Sequence, residues 1–329
     1  MKVSIISFTA KGDELNKKIE QLIRNEQVEA NGKTFNPKGC YLGEWTGKAF
    51  AASDAVIFIG AVGIAVRAIA PYVGKKDTDP AVICIDEAAR FVIPLLSGHI
   101  GGANAFAEEL ADKLGSCAVI TTATDINGVF AVDTWAVNSG YAIDNIDEIK
   151  HISGALLGGE TVGLVSDFKI SGRIPEGIEQ GTDHECGICI SDEVKKPFLH
   201  TLNLIPKRYV IGAGSRRDAD ENALIELFSG LGINEKAVDS VATIDIKKNE
   251  KSIRALAEKL DTGLKLYTTE ELNRVPGEFE VSEFVKKTTG TDNVCERAAA
   301  ASGGMIVIHK TKGDGVTIAA AVKDWSVSF

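Results

Sequence analysis

The sequence predicts an α/β protein made of two three-layer α/β/α domains, the first with a mainly parallel sheet and the second with a mixed sheet, joined by a small β-rich middle domain. The composition is the first indication: of 329 residues 44% are hydrophobic, only 6% are aromatic and 33 are glycine. Such a chain suits two or three domains with aliphatic cores and glycine-rich connections. The second indication is that short apolar runs without alternation are separated by helical patterns, which is typical of parallel strands covered on both faces. The expected boundaries are residues 1–131, 132–205 and 206–329.

The N-terminal domain alternates strands and helices. Its predicted strands are residues 2–9, 55–59, 81–85, 91–94 and 118–121, which are rich in Val, Ile and Phe. A helix is expected to follow Gly12 and to run to about Glu26, and a short helix after Gly63 should end at Pro71. A third helix has Phe106 and Leu110 on its apolar face and should end near residue 115.

Helical periodicity fades over residues 132–192, where short apolar runs lie between glycine-rich turns and predict the β-rich middle domain. Residues 195–207 contain Pro197 and Pro206 and resemble a linker. The last domain begins with a strand at residues 209–212 and a helix carrying Leu224 and Phe228. Further strands are predicted at residues 241–246, 265–267, 305–308 and 316–322, and the last two are separated by a hairpin signal.

Charge and hydropathy exclude two classes of partner. Lys and Arg number 36 against 46 Asp and Glu, and the formal net charge of −10 argues against binding to nucleic acid, which requires a basic surface. The longest apolar run, residues 55–66, is shorter than the roughly 20 residues that span a bilayer. The apolar stretch at the N-terminus is too short for a signal peptide, so we expect a cytoplasmic protein without a membrane partner.

The six cysteines are scattered, and only Cys186 and Cys189 form a C-x-x-C pair. A disulfide framework is not expected in a chain of this size. The alternating pattern around the pair favours buried thiols in a strand, with a metal site that includes His184 as the alternative. No metal site is predicted, and His151, His200 and His309 are given no role.

The most informative stretch of the first half surrounds one histidine. Small or polar residues flank it and would let a ligand approach the backbone: Ser97, Gly98, Gly101, Gly102 and Asn104. His99 itself titrates near neutrality, so it is a candidate for proton transfer, and a hydrogen-bonded surface histidine is the alternative.

A second polar cluster follows the predicted strand at residues 118–121. It comprises Thr121, Thr122, Thr124 and Asp125. Ligands bind at the carboxyl ends of strands in open α/β sheets, so these side chains are candidate ligand contacts.

Two glycine-rich segments carry arginines and suit anions. The first contains Gly60, Gly63 and Arg67 and serves equally well as a purely structural turn. The second comprises Gly212, Gly214, Ser215, Arg216 and Arg217, which would offer backbone amides and two guanidinium groups to carboxylates or phosphates. Arg217 stands where a dinucleotide-binding turn needs a third glycine, which disfavours a nucleotide-dependent enzyme.

Taken together, these motifs resemble the cobalt-precorrin 5A hydrolases of anaerobic cobalamin biosynthesis over nearly the whole chain. The resemblance is carried by Gly60-Ala-Val-Gly63-Ile-Ala-Val-Arg67, Pro94-Leu-Leu-Ser97-Gly98-His99, Thr121-Thr122-Ala-Thr124-Asp125, Gly212-Ala-Gly214-Ser215-Arg216-Arg217 and Val294-Cys-Glu296-Arg-Ala298-Ala299. Two departures are Ser215 and Asp218, where members of the family often have Cys and Gly.

The resemblance implies a hydrolase for which water opens the δ-lactone on ring A of a cobalt corrinoid, and a two-carbon fragment leaves as acetaldehyde. The cobalt arrives with the substrate, so no cofactor is expected. The substrate carries many carboxylates, which the arginines would bind, and neighbouring enzymes of the pathway are candidate partners. A corrinoid-binding protein that hands over intermediates without transforming them is the alternative.

The chemistry of the residues suggests roles for the candidate site. Lactone opening needs a base for water and donors for the oxyanion. We hypothesise that His99 is the general base, that the amides of Gly101 and Gly102 are oxyanion donors, and that Asp125 orients His99 or shares in proton transfer.

Overall fold

The computed structural model describes residues 1–24, 28–34, 41–75 and 78–329. The chain forms two compact units, which we call unit 1, Met1–Val137 with Ser153–Glu160, and unit 2, Asn138–Ile152 with Thr161–Phe329. Within the part of the chain that the structure describes, none of the helices combines the length and hydrophobicity that a bilayer span requires. The predicted helix end at Glu26 lies outside the described residues.

Unit 1 is built on a six-stranded sheet in the order β2-β1-β3-β4-β5-β6. Its strands are β1 (Lys2–Ser7), β2 (Glu29–Thr34), β3 (Ala55–Ile59), β4 (Ala81–Ile85), β5 (Phe91–Leu96) and β6 (Cys117–Ala118). The first four strands are parallel to one another, β5 is antiparallel to β4, and β6 is parallel to β5. The mainly parallel sheet is therefore confirmed, with a reversal of direction at β5.

Helices cover both faces of this sheet and make three layers. They are α1 (Ala10–Ile23), α2 (Leu42–Ala52), α3 (Val62–Ile69) and α4 (Ala103–Leu114). Two short helices, α5 (Ala123–Ile126) and α6 (Val132–Asn138), follow β6 along the chain. Leu15 and Ile19 of α1 and Leu110 of α4 pack on one face of the sheet. Ala49 of α2 and Ile69 of α3 pack on the other face. Burial of these apolar side chains is what fixes the helices to the sheet.

The first sheet of unit 2 has five strands in the order β10-β8-β11-β12-β7. The strands of this region are β7 (Tyr141–Ile143), β8 (Val162–Ser166), β9 (Lys169–Ser171), β10 (Ile178–Gln180), β11 (Cys186–Ile190) and β12 (His200–Pro206). Helix α7 (Ile149–Leu157) begins in unit 2, and its residues from Ser153 onward belong to unit 1. The prediction of a linker at residues 195–207 is wrong, because β12 lies between β11 and β7 and buries Leu202 and Leu204 completely. Pro206 is tolerated since it lies at the last position of the strand. Cys189 is buried in β11, as expected for a structural thiol.

The second sheet of unit 2 is mixed, as predicted, in the order β15-β14-β13-β17-β16. Its strands are β13 (Tyr209–Ser215), β14 (Val238–Ile244), β15 (Gly263–Tyr267), β16 (Met305–Lys312) and β17 (Val316–Val322). The helices are α8 (Ala223–Ser229), α9 (Lys251–Lys259), α10 (Thr269–Arg274), α11 (Glu283–Thr289) and α12 (Val294–Ala300). Helices α8 and α9 pack on one face, and α10 and α12 on the other. The last strand, β18 (Ser326–Ser328), pairs with β9, so the C-terminal segment returns to the middle region.

Candidate active site

His99 lies in a tightly hydrogen-bonded loop between β5 and α4. Ser97 has a left-handed backbone (φ 58°), and its hydroxyl donates to the carbonyl of Asp79 at 3.0 Å. The Ala103 amide donates to the Ser97 carbonyl at 3.0 Å, which closes the loop. Gly101 is required here, because a Cβ at that position would overlap the side chain of Ser97. The left-handed conformation of a residue other than glycine costs about 1 kcal/mol, so the surrounding hydrogen bonds must hold it in place.

Two carboxylates flank the imidazole of His99. Its Nδ1 lies 3.1 Å from Oδ2 of Asp133, and its Nε2 lies 3.1 Å from Oδ2 of Asp125. The side chain of Asp133 is 9% exposed, that of His99 16% and that of Asp125 35%. The three groups therefore form a line from the interior to the surface, with Asp125 at the solvent end.

The threonine cluster completes the network around Asp125. Asn104, in the first turn of α4, donates from Nδ2 to Oδ2 of Asp125 at 2.7 Å and to the Thr122 hydroxyl at 2.8 Å. The hydroxyl of buried Thr124 lies 3.3 Å from Nε2 of His99. Thr121 is exposed beside them. The structure thus brings together the two polar clusters that the sequence placed after β5 and after β6.

The carboxylates change the acidity of His99. The pKa of His99 is raised to about 9, and the largest cause is its hydrogen bond to Asp133. The charges of Asp133 and Asp125 also raise the pKa, whereas burial of the imidazole lowers it. At neutral pH the imidazole is therefore protonated and carries a positive charge. A protonated imidazole donates a proton or stabilises an anion; it acts as a base only after it has lost that proton.

One of the two predicted oxyanion donors already makes a hydrogen bond within the loop. The Gly102 amide donates to the carbonyl of His99 at 2.8 Å, and Gly102 has a left-handed backbone (φ 75°). An oxyanion would have to replace that carbonyl as the acceptor. The role of the Gly101 amide stays a prediction.

The glycine-rich turn with Arg67 and the His99 loop lie at opposite ends of the strands of the sheet. The amide of Gly60 donates to the carbonyl of Ile85, at the carboxyl end of β4, whereas Ser97 contacts Asp79, which precedes β4. The reversal at β5 places the two loops at opposite ends of the strands, about 17 Å apart for five residues of β-strand. Gly60, Gly63 and Arg67 therefore do not share a pocket with His99, and the exposed Arg67 donates instead to the carbonyl of Gly63 at 2.9 Å.

The second glycine-rich segment forms a strand where the sequence predicted a loop. Gly212, Gly214 and Ser215 belong to β13 and pair in register with β17. Gly212 allows α12 to pack closely, because a Cβ there would overlap the carbonyl of Cys295. The prediction of a loop at these three positions is thus wrong, since they pair in the sheet. Substrate binding by Gly212, Gly214 and Ser215 stays a prediction.

Only the two arginines of this segment are exposed. The Arg216 amide donates to the carbonyl of Gly315 at 2.7 Å, and its guanidinium contacts Asp314 at 3.2 Å on the surface. Binding of substrate carboxylates by Arg216 and Arg217 stays a prediction.

Sequence reasoning missed Asp133. It lies 34 residues from His99, in α6, and its other oxygen accepts from the Thr134 amide at 2.9 Å. A signal was present, because Asp133 is the only charged residue between Asp125 and Asp144. A lone carboxylate in an apolar stretch is buried only with a partner, and that partner is His99.

Comparison with known proteins places the chain in a family. The model described as Cobalamin synthesis G N-terminal matches residues 44–125, the one described as Cobalamin biosynthesis central region matches residues 130–206, and the one described as Cobalamin synthesis G C-terminus matches residues 209–321. A curated protein of Salmonella typhimurium named cobalt-precorrin-5A hydrolase is 36% identical over 294 residues, which are 84% of each chain. The chain belongs to the cobalamin synthesis G family.

The chain is also similar to two further curated proteins and to a solved structure. A cobalt-precorrin-5A hydrolase of Priestia megaterium is 29% identical over 83% of this chain and 79% of its own. A probable cobalt-precorrin-5A hydrolase of Methanocaldococcus jannaschii is 27% identical over 82% and 85%. Among solved structures, a putative cobalamin biosynthesis protein G homolog from Sulfolobus solfataricus is 23% identical over 98% of this chain and 97% of its own, with a TM-score of 0.44. His99 and Asp125 lie within or at the end of the segment matched by the N-terminal family model, and Asp133 lies in the central one.

Proposed function

We propose that this protein is a hydrolase of cobalamin biosynthesis that opens the ring A δ-lactone of cobalt-precorrin 5A and releases acetaldehyde. Membership of a family whose curated relatives are named cobalt-precorrin-5A hydrolase supports the activity. The observation that carries the proposal at the level of the site is the His99 imidazole held between two carboxylates. Such an arrangement supplies both a proton donor and a proton acceptor to one substrate.

Because His99 is protonated, the proposed acid and base roles differ from the hypothesis drawn from the sequence, in which His99 was the general base. Asp125, at the solvent end of the line, takes a proton from the attacking water, and the protonated His99 donates to the alkoxide oxygen as the lactone C–O bond breaks. Asp133 holds His99 in its charged form and is a positioning residue. The products of this step are a carboxylic acid on ring A, which loses its proton to solvent, and a free hydroxyl on the two-carbon fragment.

Release of the fragment reverses the direction of proton transfer. His99, now neutral, accepts the proton of the new hydroxyl; the C–O bond becomes the carbonyl of acetaldehyde, and the C–C bond to the macrocycle breaks. The electron pair of that bond passes to the conjugated macrocycle. One imidazole thus acts first as acid and then as base, which returns it to its starting state, and Asp125 returns to its starting state by releasing to solvent the proton that it took from water.

The other expectations accompany this proposal. The partners are an anionic cobalt corrinoid and water, with neighbouring enzymes of the pathway as candidates and no nucleic acid or membrane. A cytoplasmic location is proposed, and the reaction requires no protein-bound cofactor since the cobalt belongs to the substrate.

An anaerobic incubation with the lactone-bearing cobalt corrinoid tests the activity. Acetaldehyde is trapped while the mass of the corrinoid is followed. We expect catalytic release of acetaldehyde with the matching loss of mass, and a decrease of about 10²–10⁴-fold in kcat for His99→Gln.

His309→Gln is the matched control, because His309 also contacts a carboxylate, Oε1 of Glu296 at 3.0 Å, but lies in unit 2 and is exposed. Corrinoid binding without turnover by the wild-type protein would favour the handover alternative. Full turnover by a folded His99→Gln protein would remove the proposed roles.

A further inference from the structure

Three side chains of metal-ligating type meet in unit 2, far along the chain from the His99 loop. The ligand atoms of Glu148, His151 and His200 all lie within 4.8 Å of one another, and all three residues are half-buried. Nδ1 of His200 lies 3.1 Å from Oε2 of Glu148, and the two imidazole rings stack with centroids 3.8 Å apart. Over the residues that the structure describes, this is the single group of three His, Cys, Asp or Glu side chains whose ligand atoms all lie that close together.

The backbone fixes where the three side chains lie. Glu148 ends a 3₁₀ turn, Ile146–Glu148, and His151 is in the first turn of α7, so a spacing of three residues places both on one side. His200 is the first residue of β12. Asn145 ties the turn to that strand, because its Nδ2 donates to the Thr201 carbonyl at 2.6 Å and its Oδ1 accepts from the Asn203 amide at 2.9 Å. The position of the cluster is thus set before any ligand binds.

We propose that Glu148, His151 and His200 form a binding site for a divalent transition metal of the zinc class. Two imidazoles and one carboxylate are a donor set that zinc accepts with water in the fourth position. Magnesium and calcium prefer oxygen ligands, so they do not match this set. Ligand atoms at ~2.0–2.2 Å from a tetrahedral ion lie roughly 3.3–3.6 Å apart, so metal binding would require the side chains to adjust from their present spacing of up to 4.8 Å.

This site is independent of the proposed hydrolysis and differs from the expectation that the protein binds no metal. It would link the start of α7 to the first residue of β12. Binding would therefore stabilise the folded form of the middle region, since the unfolded chain does not hold the three ligands together.

The test uses the full chain, stripped with a chelator and titrated with Zn²⁺ alone by equilibrium dialysis at pH 7.5. We expect one equivalent to bind, with weaker binding in acid because protons compete with the metal for its ligands. Co²⁺ as a second probe should give the visible absorption of a four- or five-coordinate ion without the near-ultraviolet band of a thiolate ligand.

Variants identify the ligands. His200→Gln, His151→Gln and Glu148→Gln should each weaken Zn²⁺ binding by at least about 10-fold. His309→Gln is the matched control, since His309 and Glu296 form a pair of similar length without a third ligand. Circular dichroism checks the folding of each variant. If one of the three ligand variants does not fold, the other two still test the proposal.

Two results would overturn the proposal. One is the absence of stoichiometric Zn²⁺ binding by the wild-type chain at micromolar concentration. The other is binding that persists in the folded His151→Gln, His200→Gln or Glu148→Gln proteins or that shows thiolate absorption with Co²⁺, because the metal would then be held elsewhere.

Discussion

At the scale of single residues, the carboxylates beside His99 decide which proton chemistry its imidazole can perform. An isolated histidine is mostly neutral at pH 7.5, whereas the pKa of His99 is raised to about 9, chiefly by the hydrogen bond to Asp133. Asp133 is nearly buried and Asp125 is more exposed, so the first is suited to hold His99 and the second to meet water. Identical side chains thus acquire different roles from their depth in the protein.

The role of Asp133 can be tested by Asp133→Asn. We expect kcat to fall about 10²–10⁴-fold, because the amide no longer stabilises the charged imidazole. The pH profile of kcat/KM distinguishes positioning from structural damage. In the wild type, activity should decline as pH rises through about 9, where His99 loses its proton, and in the variant this decline should move to lower pH.

Asp167→Asn is a suitable control, since Asp167 is a carboxylate of unit 2 that contacts Lys195 at 2.6 Å. An activity that increases with pH up to 9 in the wild type would instead indicate that His99 starts the reaction as a base.

The same pKa predicts a pH dependence of stability for unit 1. The folded protein holds the His99 proton up to about pH 9, while the unfolded chain releases it near pH 6.5. The contribution is therefore complete below about pH 6.5 and is lost as pH rises through 9. The loss is about 1.4 kcal/mol per pH unit, and about 3 kcal/mol in total.

Urea unfolding followed by tryptophan fluorescence measures this effect. In a Trp325→Phe background the remaining tryptophans, Trp45 and Trp135, both lie in unit 1. The free energy of unfolding should fall between pH 6.5 and 9, and His99→Gln in the same background should show a smaller fall. Equal pH dependence of the two proteins would contradict the raised pKa.

At the scale of elements, a glycine that the sequence associates with ligand binding serves the packing of a helix on a strand. Gly212 of β13 faces α12, where a Cβ would overlap the carbonyl of Cys295. Helix and strand approach this closely only because glycine has no side chain. We expect Gly212→Ala to destabilise unit 2 by about 3 kcal/mol or more, because α12 must move away from the sheet.

Gly263→Ala is the matched control, since Gly263 begins β15 of the same sheet and a Cβ there would have no atom within 4 Å. Chemical denaturation of both variants measures the difference. If Gly212→Ala were as stable as Gly263→Ala, the close approach of α12 would not depend on this glycine.

Local patterns explain which elements could be predicted from the sequence. The apolar face of α4 and the buried run of β3 follow directly from hydrophobic periodicity, and both lie close to their predicted positions. The direction of β5 does not follow, because an apolar strand has the same pattern in either direction. That reversal separated Arg67 from His99. β12 was missed because Pro197 before it and Pro206 at its end resemble the prolines of a linker. Its pairing with β7 joins residues that lie far apart in the chain.

Part of the candidate site could likewise be predicted from local patterns, and part depends on contacts between distant residues. His99, Asn104 and Asp125 could be predicted because small and polar residues follow two strands that end at one edge of the sheet. Asp133 and the cluster of Glu148 with His200 depend on contacts over 34 and 52 residues, which only the tertiary structure shows.

At the scale of the whole molecule, an acidic protein is proposed to bind a substrate rich in carboxylates. The net charge of −10 opposes the approach of such a substrate, so local cations must offset it. Arg216 and Arg217 are exposed in unit 2, and among the residues that the structure describes Arg216 is paired only with Asp314, whose side chain is fully exposed. A surface ion pair of this kind is weak because water screens both charges, so a substrate carboxylate can replace Asp314 at small cost.

If a substrate carboxylate replaces Asp314 as the partner of Arg216, the substitution Arg216→Ala should have a specific effect on the kinetics. Corrinoid binding should weaken about 10-fold, with kcat changed less than about 2-fold, because the guanidinium would contact the substrate periphery in the ground state and the transition state equally. Arg254→Ala is the matched control, since Arg254 is another exposed arginine of unit 2, on α9. Single-turnover acetaldehyde release at increasing salt measures both constants, and the difference between the two variants should shrink as salt screens the charge. An unchanged affinity for Arg216→Ala at low salt would show that the substrate carboxylates are bound by other cations of the protein.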